Sequence, residues 1–129
     1  MEMDLQRYDI VMAKINYEEN SSVQASLRPY VIVSNPIGTK HAPIITVMPL
    51  TTKIKKTNMP VHKCISANDS NNLLEDSMTL GEQIITISKR EVIKKVGAIT
   101  SCDEKKAVDQ ACFEGLFFGT DYRLEEANA

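Results

Sequence analysis

Residues 21–35 read Ser21-Ser22-Val23-Gln24-Ala25-Ser26-Leu27-Arg28-Pro29-Tyr30-Val31-Ile32-Val33-Ser34-Asn35, and the organisation of the chain follows from this stretch. Its first half is polar and typical of a loop, whereas its second half is a β-branched and aromatic run typical of a buried strand. Arg28 stands at the junction, where a rigid strand would hold its guanidinium. The planar donors of that group suit a phosphate or a carboxylate. The alternative is an arginine at a strand edge in a surface ion pair.

Short strands dominate the pattern around this stretch. Strands are predicted over residues 9–15, 28–35, 44–50, 61–66, 77–83 with a bend at Gly81, 84–87 and 96–99. The connection over 16–27 is polar and long enough to suggest a function. Pro36 and Gly38 predict a turn over 36–40, and a polar turn is expected over 68–72.

Two helix starts come late in the chain. Ser88 with Glu91 and Ser101 with Glu104 both fit a capping box. The first helix must be short, and the second is predicted over about 102–118, with Gly119 as its C′ residue. Its apolar face is expected to carry Val108, Ala111, Cys112, Gly115 and Leu116. Strands without βαβ alternation predict a mainly β fold, a small bent antiparallel sheet with helices against it.

Bulk composition limits the class of protein. A chain of 129 residues with 43% hydrophobic and 25% charged residues predicts one soluble domain over 1–129, with a core at about 8–118 and a flexible tail over 119–129. The net charge of −2 hides an uneven distribution, because residues 1–102 carry 12 Lys/Arg and 10 Asp/Glu whereas 103–129 carry 3 and 7. Three cysteines without a C-x-x-C spacing favour a reduced, cytoplasmic setting. No signal peptide or membrane span is predicted.

A second candidate site lies after the strand predicted over 44–50. Thr51 follows that strand and is doubled by Thr52, so a hydroxyl there could hold a phosphate oxygen, although threonine is also common at strand ends. The basic loop that follows, with Lys53, Lys55 and Lys56, could track a nucleic-acid backbone, although such a run is more often solvated surface.

The motifs, taken in order, resemble those of the MazF/PemK family of toxin endoribonucleases. The resemblance rests on Ser-x-Gln-x-x-x-Arg-Pro at 22–29 and on matching stretches at 8–13, 35–38, 42–51, 59–62 and 77–87, and it covers about residues 8–117. It implies an SH3-like small barrel of the MazF/PemK/CcdB type with a C-terminal helix, acting as a homodimer. It further implies a cognate MazE-like antitoxin whose extended acidic segment blocks the arginine groove.

The resemblance also implies the chemistry. Family members cleave single-stranded RNA without a metal or cofactor, because the 2′-hydroxyl of the RNA attacks the adjacent phosphorus and leaves a 2′,3′-cyclic phosphate and a 5′-hydroxyl. Catalytic roles carry over to Arg28, Thr51 and Ser22. Substrate-binding roles are expected for Gln24, Asn35, Gln83, Thr52 and Lys53. Arg28 would stabilise the phosphorane, since its pKa above about 12 makes it a poor general base.

Other interpretations remain open. His41 and His62 titrate near neutrality and could form a ribonuclease pair. A zinc site at His62, Cys64 and Cys102 would lack a standard ligand spacing. A CcdB-like toxin that binds gyrase, or a non-catalytic SH3-like interaction module, would share the fold. The chain also departs from the family, with Tyr8-Asp9 where members often have Gly-Asp and Ala25-Ser26 where they often have Gly-Gly.

Overall fold

The structure, a computed structural model, describes residues 4–15 and 27–117. The strands in these ranges are β1 (Asp9–Lys14), β2 (Leu27–Ile32), β3 (Ile44–Thr51), β4 (Cys64–Ile65), β5 (Ser77–Thr79), β6 (Ile85–Ser88) and β7 (Val92–Ala98). The helices are α1 (Pro36–His41) and α2 (Cys102–Leu116), and two 3-10 turns span Gly81–Gln83 and Lys89–Glu91. Ser22, Gln24, Gly119, most of the connection before Arg28 and the tail over 119–129 lie outside the described residues.

The strands pair antiparallel throughout, and six of them follow the order β4-β5-β3-β2-β1-β7. One edge of β3 carries β2, and its other edge pairs first with β6 and then, at its end, with β5. The Gly81–Gln83 turn separates β5 from β6, at the glycine where a bend was predicted. Two register shifts between β1 and β7 increase the local twist. The product is a curled half barrel with a C-terminal helix, which confirms the predicted fold class.

Side-chain alternation divides the core into two clusters on opposite faces of β2. Tyr30 and Ile32 belong to the first cluster, together with Val11 of β1 and Val47 of β3. Val31 belongs to the second cluster, where Val108 and Ala111 of α2 pack on the sheet. Because residues 30–32 of β2 are buried on both faces, this part of the strand is continuously apolar instead of alternating, as the pattern indicated.

The segment after β2 differs from its prediction. The strand ends at Ile32, three residues early, and the predicted turn over 36–40 is wrong, because helix α1 forms there. Asn35 is the N-cap, and its side-chain oxygen accepts a hydrogen bond from the Gly38 N–H at 2.7 Å. Pro36 occupies the start of the helix, where its fixed φ favours helical geometry and its missing N–H costs no bond.

The predicted strand over 61–66 is shorter than expected, since only Cys64–Ile65 has ladder pairing. The hydroxyl of Thr79 in β5 makes hydrogen bonds to this segment where ladder pairing is absent. This hydroxyl donates to the Val61 carbonyl at 2.9 Å and accepts from the Lys63 N–H at 2.9 Å. The segment therefore stays attached to the sheet through this side chain and through the bond from the Thr79 N–H to the Lys63 carbonyl at 2.8 Å.

The two predicted helix starts are both at helix N-caps. Ser88 and Glu91 form a full capping box at the second 3-10 turn, which confirms that prediction. At α2, Ser101 accepts from the Glu104 N–H at 3.1 Å. The predicted face of α2 is wrong at Leu116, which is 61% exposed.

Tyr8 lies where family members often have glycine, and its φ of 76° lies in the left-handed region that favours glycine. Its hydroxyl donates to the Asp109 carboxylate of α2, with both oxygens at 2.9 Å. The cationic groups of Arg7 and Lys105 each lie 5.1 Å from its ring centroid. These contacts offset the backbone strain and fix the N-terminal segment on α2.

Candidate active site

Strand register brings Arg28 and Thr51 together at one end of the sheet. Tyr30 of β2 pairs with Pro49 of β3, and Val31 with Met48. Arg28 lies two residues before the last paired residue of β2, and Thr51 lies two residues after the last paired residue of β3. The two residues therefore lie at the same end of the sheet.

Both residues are held by a second strand as well. Arg28 pairs with Ala13 of β1, and Thr51 pairs with Met78 of β5. Side chains at the ends of well-paired strands keep their direction without help from a loop. The predicted catalytic pair therefore lies on the rigid part of the molecule.

Arg28 is half-buried and makes no ion pair with a carboxylate among the residues that the structure describes. Ion pairs in those ranges are instead formed by Arg7 with Asp109, His62 with Glu82 and Lys95 with Asp9. The surface ion pair that was the alternative interpretation of Arg28 is thus not formed within 4–15 and 27–117. A half-buried arginine without a carboxylate partner in these ranges is suited to an anionic ligand.

The hydroxyl of Thr51 accepts a hydrogen bond from the Lys53 N–H at 3.1 Å. This bond uses a lone pair and leaves the hydroxyl hydrogen for an acceptor such as a phosphate oxygen. Thr52 and Lys53 follow directly and are exposed, as are Lys55 and Lys56 of the predicted basic loop. The basic loop thus begins at the Arg28–Thr51 end of the sheet.

Of the two other described candidates, the structure brings one near this end. Gln83 is exposed on the Gly81–Gln83 turn, which is attached to β3 by the bond from the Leu80 N–H to the Pro49 carbonyl at 3.0 Å. Asn35 lies past the opposite end of β2 and uses its side chain to cap α1. The structure does not bring Asn35 to the Arg28–Thr51 end.

The two histidines do not form a pair. His41 is exposed at the end of α1, before β3 begins, and His62 lies beyond the end of β3. The eight residues of β3 place about 24 Å between the two ends of that strand. A mechanism that uses both histidines on one phosphate is therefore excluded within one chain.

His62 is buried, and both of its ring nitrogens have partners. Nδ1 lies 3.0 Å from the Lys56 carbonyl oxygen and Nε2 lies 2.8 Å from Oε2 of Glu82. Burial alone would lower the pKa of His62, but the bond to the Glu82 carboxylate and the bond to the Lys56 carbonyl reverse this, so that the pKa is raised. With both nitrogens engaged, His62 has no free nitrogen for a zinc ion.

The sequence analysis missed Glu82. Glu82 lies in the stretch 77–87, where a functional role was expected only for Gln83. The contact of Glu82 with His62 spans 20 residues and joins a loop to a 3-10 turn, so no local spacing could have indicated it.

Comparison with known proteins identifies the family of the chain. A sequence model of the family described as PemK-like, MazF-like toxin of type II toxin–antitoxin system matches residues 6–112. The chain therefore belongs to this family of toxins.

Solved structures share the fold at low sequence identity. A mycobacterial endoribonuclease in complex with its cognate antitoxin aligns with a TM-score of 0.70 at 18% identity, covering 89% of this chain and 97% of that one. MazF from Deinococcus radiodurans gives 0.71 at 14% identity, covering 91% and 100%. A MazF toxin of Mycobacterium tuberculosis gives 0.67 at 18% identity, covering 86% and 98%. Among the residues described here, no helix is both long and apolar enough to cross a membrane.

Proposed function

We propose that this protein is a toxin endoribonuclease that cleaves single-stranded RNA at specific sequences without a metal. The observation that carries the proposal is the half-buried Arg28 at the same end of the sheet as Thr51, with no carboxylate partner in the described part of the chain. Membership in the toxin family and the fold shared with a mycobacterial endoribonuclease support it.

The proposed reaction is an in-line transesterification. The 2′-oxygen of the RNA loses its proton and forms a bond to the adjacent phosphorus, the bond from phosphorus to the 5′-oxygen breaks, and that oxygen takes up a proton. Negative charge grows on the non-bridging oxygens of the phosphorane between these events. Because the nucleophile belongs to the substrate, the protein needs to position the phosphate and stabilise this charge.

The candidate site residues at this end of the sheet, together with Ser22 and Gln24, have distinct roles in this reaction. Arg28 donates to the non-bridging oxygens, and the free hydroxyl hydrogen of Thr51 donates to one of them. Ser22 is assigned to the same phosphate, and Gln24, Thr52, Lys53 and Gln83 to the flanking nucleotides.

The partners follow from the same proposal. A cognate antitoxin would lay an extended acidic segment on the Arg28 end of the sheet, where its carboxylates replace RNA phosphates. The toxin would act as a homodimer in the cytoplasm.

The test is incubation of the purified protein with a long single-stranded RNA in EDTA. We expect discrete fragments with 5′-hydroxyl and 2′,3′-cyclic phosphate ends. Arg28→Ala should lower the cleavage rate about 10²–10³-fold, the typical cost of one donor to a developing oxyanion. The matched control is Arg90→Ala, because Arg90 is an exposed arginine of the second 3-10 turn, beyond the opposite end of β3.

Folded wild-type protein that cleaves no RNA would overturn the proposal. Growth arrest that survives Arg28→Ala would favour a gyrase-binding toxin or an interaction module, since neither needs an arginine aimed at phosphate.

A further inference from the structure

His62 is a buried histidine that the proposed reaction does not use. It is 7% exposed, and its ring is held between two acceptors, the Lys56 carbonyl and the Glu82 carboxylate. A neutral imidazole has one N–H and could donate to only one of them. The protonated ring satisfies both, so the geometry itself favours a positive charge in this position.

The Lys56 contact reaches the middle of the basic loop between Thr51 and Val61. Lys56 has a φ of 51°, a left-handed conformation that a lysine adopts only under constraint. Its carbonyl also accepts from the Met59 N–H at 3.1 Å, and the His62 N–H bonds back to the Met59 carbonyl at 2.9 Å. The His62 ring and this tight turn together define the shape of the loop.

The Glu82 contact reaches the other side of the candidate site. Glu82 lies on the Gly81–Gln83 turn beside Gln83, and that turn is attached to Val61 by a bond from the Gly81 N–H at 3.2 Å. His62 therefore connects two segments with proposed roles in RNA binding, the lysine loop after Thr51 and the turn that carries Gln83. Its charged surroundings are the Glu82 carboxylate on one side and, on the other, the loop with Lys55 and Lys56, whose backbone carbonyls approach the ring.

We propose that His62 is a positioning residue, which through Glu82 and the Lys56 carbonyl holds the basic loop in the conformation that binds the RNA backbone. This inference rests on the proposed ribonuclease function. Thr51 is fixed separately by its pairing with Met78, so loss of the His62 contacts weakens RNA binding more than the chemical step.

Trypsin measures the loop directly, because it cleaves after Lys53, Lys55 and Lys56. We expect His62→Gln to be cut in the loop at least about tenfold faster than wild type, since proteolysis follows the population of the open loop. The matched control is His41→Gln, the same change at an exposed histidine on α1, which should be cut like wild type.

Glu82→Gln is a milder second variant. Its amide oxygen still accepts from Nε2, but the charge that favours the imidazolium is gone. We expect faster cutting than in wild type, slower cutting than in His62→Gln, and a lower pKa of His62 in an NMR titration of the ring. Cooperative thermal unfolding of each variant shows that the comparison is made between folded proteins.

RNA cleavage gives the functional readout. His62→Gln should raise KM about five- to tenfold and change kcat less than about twofold. This pattern is expected when a substitution removes an interaction that binds the RNA equally well in the ground state and in the transition state. The KM of wild type should rise as the pH passes the folded pKa of His62, and in Glu82→Gln that rise should begin at lower pH.

Trypsin cutting that is equal in wild type and His62→Gln would overturn the inference. So would an opened loop with unchanged KM, or a loss confined to kcat, which would make His62 a catalytic residue. If wild type cleaves no RNA while the loop opens as expected, the proposed function fails and the RNA-binding role of His62 fails with it, but the structural link from His62 to the loop stands.

Discussion

Replacing Gly115 by alanine should destabilise the protein, although the same change in an ordinary helix stabilises it. Gly115 lies in the last turn of α2, where a Cβ would come within 2.0 Å of the Gly81 carbonyl oxygen and 2.8 Å of its carbon. Ordinary contact begins at about 3.4 Å, so the helix end and the Gly81–Gln83 turn would have to separate by about 1.4 Å. Both partners are backbone, and neither can rotate away.

Two opposing terms decide the magnitude. Helix propensity favours alanine over glycine by about 1 kcal/mol. Forcing an extra carbon into a closed contact costs about 1–3 kcal/mol, and an overlap this deep belongs at the upper end of that range. We expect a net loss of about 2 kcal/mol in the free energy of unfolding, or a fall of about 5–8 °C in Tm for a domain of this size.

Urea unfolding followed by circular dichroism measures the change. The control is Gln110→Ala, at an exposed position of the same helix, which should stay within about 0.5 kcal/mol of wild type. Stability of Gly115→Ala equal to or above that of wild type would refute the close contact between α2 and the Gly81–Gln83 turn. Because this turn carries Gln83, we also expect Gly115→Ala to raise the KM for RNA.

Three further predictions concern titratable groups. Tyr8→Phe removes the donor to Asp109 and should lower stability by about 1.5 kcal/mol in urea unfolding, whereas no change would mean that the ring contacts alone hold the segment. Burial, and to a smaller extent the nearby Asp109 charge, raises the pKa of Cys112 to about 11. Iodoacetamide at pH 8 should therefore modify the two exposed cysteines much faster than Cys112, which mass spectrometry measures. The pKa of His62 is raised in the folded state, so protonation of His62 stabilises the fold. This stabilisation is complete below the unfolded pKa of about 6.5 and is lost as the pH rises through the folded pKa. The urea midpoint of wild type should therefore exceed that of Glu82→Gln by more at pH 6 than at pH 9.

Strand periodicity made much of the fold predictable, and it marked the strand ends at which the candidate site residues lie. The apolar run after Arg28 marked β2 as a strand buried on both faces, and the polar residues at the ends of such strands are the ones that meet across a sheet. This pattern marked Arg28 and Thr51 as candidates, but their catalytic roles were implied by the resemblance to the MazF/PemK family. The capping box at Ser88 and Glu91 was equally readable, since its contacts lie within one turn.

The predictions from sequence failed where one local pattern is compatible with two structures, and where a contact joins residues far apart in the sequence. Asn35-Pro36 is compatible both with the start of a turn and with the start of a helix. In the helix that forms, Thr39 is buried and its hydroxyl donates to the Ser34 carbonyl at 3.1 Å. The contact of His62 with Glu82 depends on the path of the whole loop between them. In the sequence alone, both residues therefore look like ordinary surface residues.

The two parts of the candidate site are therefore built differently, and this difference has a functional consequence. Arg28 and Thr51 are fixed by ladder pairing with β1 and β5, so their separation changes only if the sheet changes. The lysine loop is fixed mainly by one buried histidine and a tight turn, which can adjust without disturbing the sheet. Substitutions in the loop should therefore alter KM and the RNA sequence preferred, whereas substitutions at the strand ends should alter kcat. A toxin built in this way can change the RNA sites it recognises while the geometry around the phosphate stays the same.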